Sequence, residues 1–375
     1  MNEIQRLIHE MCPNGVPMVA LISVADVLYG CPFDAKLFTD NDSYIPLIRI
    51  RDVVPGIPST YYSGDYQDLY IIHKGDILVG MDGNFNLEKW KSDRNGVLCQ
   101  RVCKIESNSK GLVLNNYLYH YLGPLFKLIE ESTPGGSVKH LSAKTINQIQ
   151  IPLPPLPIQQ RIVEILDKFT SLVSSLDSEI ALRQKQYEYY RNKLLSFEEG
   201  DEGVEWKKII DFADLKAGKA ISASELSEIQ DETHPYPCFG GNGIRGYIAK
   251  KSHSGEYAII GRQGALCGCV NWATGDFYAT EHAVVCTPSR LTDTKYLFYL
   301  FENADLNQYK SQGAQPGLAV SNLNELVYPI PPLSVQQRIV RTLDLFESLL
   351  TNLKKERELR QKQYEYYREK LLTFA

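Results

Sequence analysis

The sequence predicts an α/β (α+β) protein: two mixed α/β domains separated by two long antiparallel coiled-coil helices, related by a pseudo-twofold internal repeat. Three observations predict it. The nonamer RQKQYEYYR occupies residues 183–191 and returns at 360–368. It belongs to a longer ungapped match of 152–197 with 329–374, in which 30 of 46 positions are identical. Apolar residues recur at coiled-coil spacing through both copies, whereas the stretches before them mix strand-like alternation with short helical patterns. A repeat of this length is a tandem duplication of a domain plus a helix, not a solenoid. The boundaries are 1–150 for the first domain, 151–197 for the first helical region, 198–328 for the second domain and 329–375 for the second helical region.

The helices come first because their pattern is clearest. With Gln159 and Gln336 at heptad position a, the a and d series of the first copy are Ile162, Leu166, Phe169, Val173, Leu176, Ile180, Tyr187, Tyr190 and Leu194. In the second they are Ile339, Leu343, Phe346, Leu350, Leu353, Tyr364, Tyr367 and Leu371. Prolines stop before residue 158, as a helix interior requires. Forty helical residues span about 60 Å. Two copies of one seam in a single chain can pair, and an antiparallel pair sets one domain at each end of a rod. An isolated linker or a homodimerisation coil is the blander alternative; it would leave a long apolar stripe uncovered. Arg183 and Arg360 interrupt the d series and are candidates for fixing the register.

Within the domains, YIPLIRI (44–50), DILVG (76–80), VLCQRVCKI (97–105), EYAIIG (256–261) and HAVVCT (282–287) read as strands. NNYLYHYLGPLFKLIEE (115–131) and TKYLFYLFENADLNQY (294–309) read as helices, each followed by a loop of small and polar residues. Faint echoes extend the repeat upstream: NNYLYHYL faces DTKYLFYL from residue 293, and GDILVGMDGNF from residue 75 faces GEYAIIGRQGA from residue 255. Val97, Cys99, Cys103 and Ile105 are expected on one face of a single strand, and Cys267 and Cys269 on one face of another. The eight cysteines lack metal-site spacing and read as buried cytosolic thiols.

Catalytic signatures are sparse. GNGIRG (241–246) satisfies the dinucleotide pattern in letters, but a proline-flanked PYPCF precedes it and no convincing helix follows. FGGNG resembles an adenosylmethionine-site fragment, yet the chain has no Asn-Pro-Pro-aromatic or Asp-Pro-Pro-aromatic tetrapeptide, which argues against a methyltransferase centre. There is no P-loop or G-x-S-x-G, Asp-x-Lys triplets lack acidic partners, and the histidines are scattered. No catalytic and no metal-binding residue is assigned. What remains is recognition chemistry. Gly-rich loops display Asn84, Asn86, Lys89, Lys91 and Arg94 in the first domain, and Asn242, Arg245, Arg262 and Gln263 in the second. Arginine pairs bidentately with guanine, Asn or Gln with adenine, and Lys holds phosphates. Surface loops carry such residues in any case, so residue type alone is weak support.

Net charge is −5, and the second domain carries 11 basic against 18 acidic side chains. A DNA-binding role therefore draws little affinity from the chain's own field. No stretch resembles a membrane span and MNEIQRLIHEM is no signal peptide, so the expected location is cytoplasmic.

The twofold signature PLPPLPIQQRIVEILD (152–167) and PIPPLSVQQRIVRTLD (329–344), each opening a long helix behind a variable domain, resembles the specificity subunits of type I restriction–modification systems over essentially the whole chain. The resemblance implies two target recognition domains, each reading one half of a split, asymmetric site in double-stranded DNA. It implies no catalysis of the subunit's own and no cofactor; S-adenosylmethionine, ATP and Mg belong to partner subunits. Two methyltransferase subunits are expected around the helices, with restriction subunits joining them, and no membrane partner. A related system with nuclease and methylase fused in the partner would need the same architecture, and a non-DNA coiled-coil scaffold is the alternative from another class.

Overall fold

The computed structural model describes residues 3–82, 89–109, 111–132, 141–264, 266–311 and 316–374. They form two units, Met1–Leu176 with Glu356–Ala375, and Asp177–Lys355. In the first unit an antiparallel sheet runs in the order Ala25–Tyr29, Val102–Ser107, Ile77–Gly80, Lys89–Lys91. Its Val102–Ser107 strand alternates in sequence, and Cys103 and Ile105 go to a core shared with Tyr117, Leu118, Leu122 and Phe126 of the helix Asn115–Ser132. Five short strands make a second sheet, in which Ile45–Ile48 runs parallel to Gly96–Leu98. Met18–Ala20 pairs with Gln150–Pro152, tying the start of the fold to the chain just before the first long helix.

The second unit repeats this plan with longer strands. A six-stranded sheet is ordered Ala213–Ala217, Ala283–Pro288, His253–Gly261, Val270–Ala279, Tyr236–Gly240, Gly243–Ile248. Glu205–Lys208 pairs with Val327–Ile330 as the small closing sheet. The helix Thr294–Asn303 buries six consecutive residues, Tyr296 to Phe301, and Asp293 caps it through the amides of Lys295 and Tyr296.

Backbone hydrogen bonds show which residues correspond between the units. Met81 N donates to Arg101 O at 2.9 Å, as Arg262 N does to His282 O at 2.9 Å. Leu141 N donates to Met81 O, as Leu318 N does to Arg262 O. Gly30 N donates to Val102 O and Gly218 N to Ala283 O, both at 3.0 Å. A side chain at either glycine would collide with a carbonyl, that of Cys99 or of Ala279. Tyr117 and Tyr296 donate their hydroxyls to Pro152 O and Pro329 O. Gly80 thus matches Gly261, and Tyr117 matches Tyr296. The upstream letter matching is displaced by one residue at both places. Shared letters, Gly75 with Gly255 and Tyr121-Leu122 with Tyr299-Leu300, attract a letter match, whereas carbonyl and amide positions decide the structural one.

Two strand expectations are corrected. VLCQRVCKI is two strands, Gly96–Leu98 and Val102–Ser107, in different sheets. The break is a tight turn, with Val102 N bonded to Cys99 O and Arg101 at φ +69°. Val97 and Cys99 therefore join one core, and Cys103 and Ile105 another. Alternation of apolar letters survives such a break because the turn happens to preserve the count. Cys267 and Cys269 likewise share no strand: Gly268 between them has φ +91° and the strand starts at Val270. TKYLFYLFENADLNQY is also not one helix; Asp305 at φ +43° ends it and a short 3-10 turn, Leu306–Tyr309, follows. All eight cysteines are free thiols.

The long helices are Leu156–Leu195 and Leu333–Leu372. Each is fastened by a buried glutamine in its first turns. Gln159 donates to Leu112 O and Pro154 O and accepts from Leu114 N; Gln336 donates to Leu291 O and Pro331 O and accepts from Asp293 N. The polar a positions are thus fully bonded, which burial demands. In the first unit Phe169 stacks on Tyr367 at 5.3 Å between ring centroids. In the second, Tyr190 stacks on Phe346 at 5.5 Å. The early part of one helix meets the late part of the other within each unit, which is the antiparallel order.

In the first unit His120 is buried between Asp167 Oδ1, at 2.7 Å from Nε2, and the Tyr364 hydroxyl, at 3.0 Å from Nδ1. Burial pushes the Tyr364 phenol up to about 12. At the matching place in the second unit Tyr299 donates to Asp344 at 2.6 Å. Burial alone would raise the Asp167 carboxyl, but hydrogen bonds from His120 and Asn116 and the His120 charge hold it below the usual range. A carboxyl depressed in the folded state stabilises above its unfolded value, near 3.9, and loses that contribution as pH falls through the folded value. The Asp167 side chain is 41% exposed, so solvent screens much of the gain. Asp167→Asn is expected to flatten the acid limb of thermal stability below about pH 4, measured by scanning the melting midpoint against pH; an unchanged limb would show that Asp167 contributes nothing to it.

Candidate nucleic-acid interface

In the second unit the strands Tyr236–Gly240 and Gly243–Ile248 form a hairpin, and the loop after His253–Gly261 lies beside its turn. Gly241 allows that approach: a side chain there would meet the carbonyl of Gln263 at 2.7 Å. Between hairpin and loop is a cleft of about 300 Å³ lined by Asn242, Arg245, Gln263 and His282 among glycine backbone. Three of the four second-unit candidates therefore converge on one opening. Asn242, Arg245 and Gln263 are exposed, so their donors and acceptors face solvent. The fourth, Arg262, sits behind them: half-buried, its Nε enclosed without a hydrogen-bond partner among the described residues. Its backbone holds the loop through His282 O and Leu318 N, and Gln263 bridges to Gly317.

Sequence reasoning missed His282 and Glu281. They occupy the turn Thr280–Ala283, closed by Ala283 N to Thr280 O at 2.9 Å. His282 Nε2 lies 3.1 Å from Glu281 Oε1, while its Nδ1 is enclosed without a partner among the described residues. His282 stood in the sequence as the first residue of the strand-like HAVVCT, and Glu281 as the residue before it.

The first-unit candidates do not assemble in the same way. Asn84 and Asn86 lie outside the described residues, and of Lys89 the backbone is placed, in the strand Lys89–Lys91. Lys91 donates to Asn116 Oδ1 at 2.7 Å, which directs it to the helix Asn115–Ser132. Arg94 grips Asp93 in a bidentate pair at 2.8 and 2.9 Å. The hydrogen bond from Arg94 holds the Asp93 carboxyl below its usual range. An arginine occupied in this way has a weaker claim on a base than Arg245.

The GNGIRG dinucleotide reading is set aside, since its glycines lie in a β-hairpin with no helix behind. Among the described residues no cluster of His, Cys, Asp and Glu could hold a metal ion. No helix among the described residues is long and apolar enough to cross a membrane.

Of the expected seam, Ile162, Leu166, Val173, Tyr187, Ile339, Leu343, Leu350, Tyr364 and Leu371 are buried. Phe169, Leu176, Ile180, Leu194, Phe346 and Leu353 are half-buried, and Tyr190 and Tyr367 keep an exposed edge. Many of these side chains pack on the α/β fold as well as on the other helix. Arg183 and Arg360 bond within their own helices, to Glu179 and Gln186 and to Glu356 and Gln363, and among the described residues they give the register no cross-helix hydrogen bond.

The model of the type I restriction modification DNA specificity domain matches the chain twice, at residues 13–182 and 201–361. The EcoprrI specificity subunit of Escherichia coli is 41% identical over 248 residues, 63% of this chain and 62% of its own length. For the EcoBI specificity subunit of the same organism the figures are 36%, 48% and 37%, so the chain spans less than two thirds of either relative. A putative type I restriction enzyme specificity subunit of Haemophilus influenzae is 30% identical, covering 92% of this chain and 95% of its own. The crystal structure of a type I restriction–modification S subunit from M. genitalium has the same fold, with a TM-score of 0.66 at 16% identity over 96% of this chain and 97% of that one.

Proposed function

The chain belongs to the type I restriction–modification DNA specificity family, and from that premise we propose that it is the sequence-reading subunit of such a complex. Each unit reads one half of a bipartite, asymmetric site in double-stranded DNA. The paired helices hold the two readers and seat two methyltransferase subunits, which restriction subunits join. The chain contributes recognition and no catalysis. S-adenosylmethionine, ATP and Mg act in the partners, and the complex works in the cytoplasm.

The observation that carries this reading is the second-unit cleft. Amide and guanidinium groups converge at solvent on a rigid hairpin and loop, where base edges can be read. The acidic balance of that unit fits a reader that gains its affinity from phosphate contacts made by the whole assembly.

In the complex, Arg245→Ala is expected to cost about 1–3 kcal/mol of discrimination and relax one position of one half-site. Arg262→Ala removes a half-buried side chain too, so it should lower stability along with discrimination. Sequencing of modified adenines in DNA methylated by the chain with its cognate methyltransferase reads both effects. Two Arg245→Ala outcomes count against the assignment: loss in both halves, or in neither.

A further inference from the structure

We propose that the turn before the central strand of each unit is the seat of base discrimination, with Arg101 as a base reader in the first unit and His282, beside Gln263, in the second. The inference rests on the DNA-reading function above and names residues for it that the sequence did not single out.

Arg101 and His282 are matched residues, each accepting at its carbonyl the amide that follows the strand ending in Gly80 or Gly261. Both turns close by the same bond, Val102 N to Cys99 O and Ala283 N to Thr280 O. Both are anchored upstream alike, Cys99 N on Ile48 O and Thr280 N on Phe239 O. The residue one step beyond the matched strand end is Met81 or Arg262, and the next is Asp82 or Gln263. The two units thus present one frame with different chemistry mounted on it: Asp82 and Arg101 in one, Gln263 and His282 in the other. Two readers of unlike half-sites need this combination.

The first unit adds an independent sign. Among the described residues Arg101 is one of two non-glycine residues with positive φ, at +69°. A left-handed arginine is strained, and strain of this kind gathers where the side chain's direction matters. The side chain is 67% exposed, and Asp82 Oδ2 lies 3.3 Å from its Nε, steadying the guanidinium from one side. An oriented, exposed guanidinium is the commonest reader of guanine. In the second unit the matched histidine lines the cleft that also holds Gln263 and Arg245, and its Nδ1 is enclosed without a partner among the described residues. Gln263 carries the amide that suits an adenine edge.

The test uses the complex of the chain with its cognate methyltransferase, with modified adenines sequenced and duplex libraries competed for binding. Arg101→Gly is the informative variant, because glycine adopts φ +69° without strain. Its melting midpoint is expected at or above that of the wild type, which separates lost contact from lost fold. Its preference at one or two positions of one half-site is expected to fall about 10- to 100-fold, with the other half unchanged. His282→Ala, and Gln263→Ala as a second variant at an exposed side chain, are expected to relax the opposite half alone. Unchanged motifs in the Arg101 and His282 variants would overturn the proposal. So would an even loss of modification at all sites with base preference intact, the mark of phosphate contacts. A wild-type complex without base preference would overturn the reading function itself, and this proposal with it.

Discussion

Leu343→Asp is expected to destabilise the second unit by more than ~3 kcal/mol, because truncating a buried leucine already costs about 2–5 kcal/mol and the carboxylate is desolvated besides. Leu343 is fully buried, in a core with Ile339, Tyr299 and Leu323, so the charge has no route to water. Leu345, two residues on, is 73% exposed. The same substitution there should stay within about 0.5 kcal/mol. Leu166→Asp should repeat the large effect in the first unit, where Leu166 is equally buried. Urea unfolding of the three variants measures the contrast. A total stability of about 5–15 kcal/mol leaves Leu343→Asp and Leu166→Asp close to the folding threshold. Equal midpoints for Leu343→Asp and Leu345→Asp would contradict the packing of these helices.

The second large effect concerns spacing. Both long helices run uninterrupted for 40 residues. Seven residues inserted after Leu176, and seven after Leu353 to preserve the heptad pairing, lengthen each helix by about 10 Å. Duplex DNA rises 3.4 Å per base pair and places one face to the fore every 10–10.5 pairs, so half-site centres about one turn apart are favoured, with an unread gap of about 5–8 pairs. In the doubly lengthened chain that gap is expected to grow while both half-sites keep their bases. An insertion in one helix alone should abolish reading, since it breaks the pairing. A gap that stays the same in the doubly lengthened chain would contradict the role of the helices as spacers.

The long helices were legible in the sequence because a heptad is a property of neighbouring letters. Gln159 and Gln336 were placed at a positions by that count, and the structure shows why a polar residue stands there: each bonds three backbone groups at the helix start. The turn at Arg101 was invisible, since apolar alternation ran through it and only the φ value reveals the break. His282 was missed for a related reason. It begins an apolar run and reads as strand, while its place in the cleft depends on a hairpin more than thirty residues upstream in sequence. Asn242, Arg245 and Gln263 were proposed from loop composition, which names the type of residue and says nothing of convergence; that they line one cleft only the fold shows. The same composition offered Arg94, whose guanidinium the structure shows held by Asp93.

The most direct test of the central claim is to express the chain with its cognate methyltransferase and map every modified adenine. One bipartite motif is expected, two short specified halves around a gap of fixed length, with an adenine modified in each half. A continuous motif, a gap of variable length, or modification indifferent to sequence would contradict it.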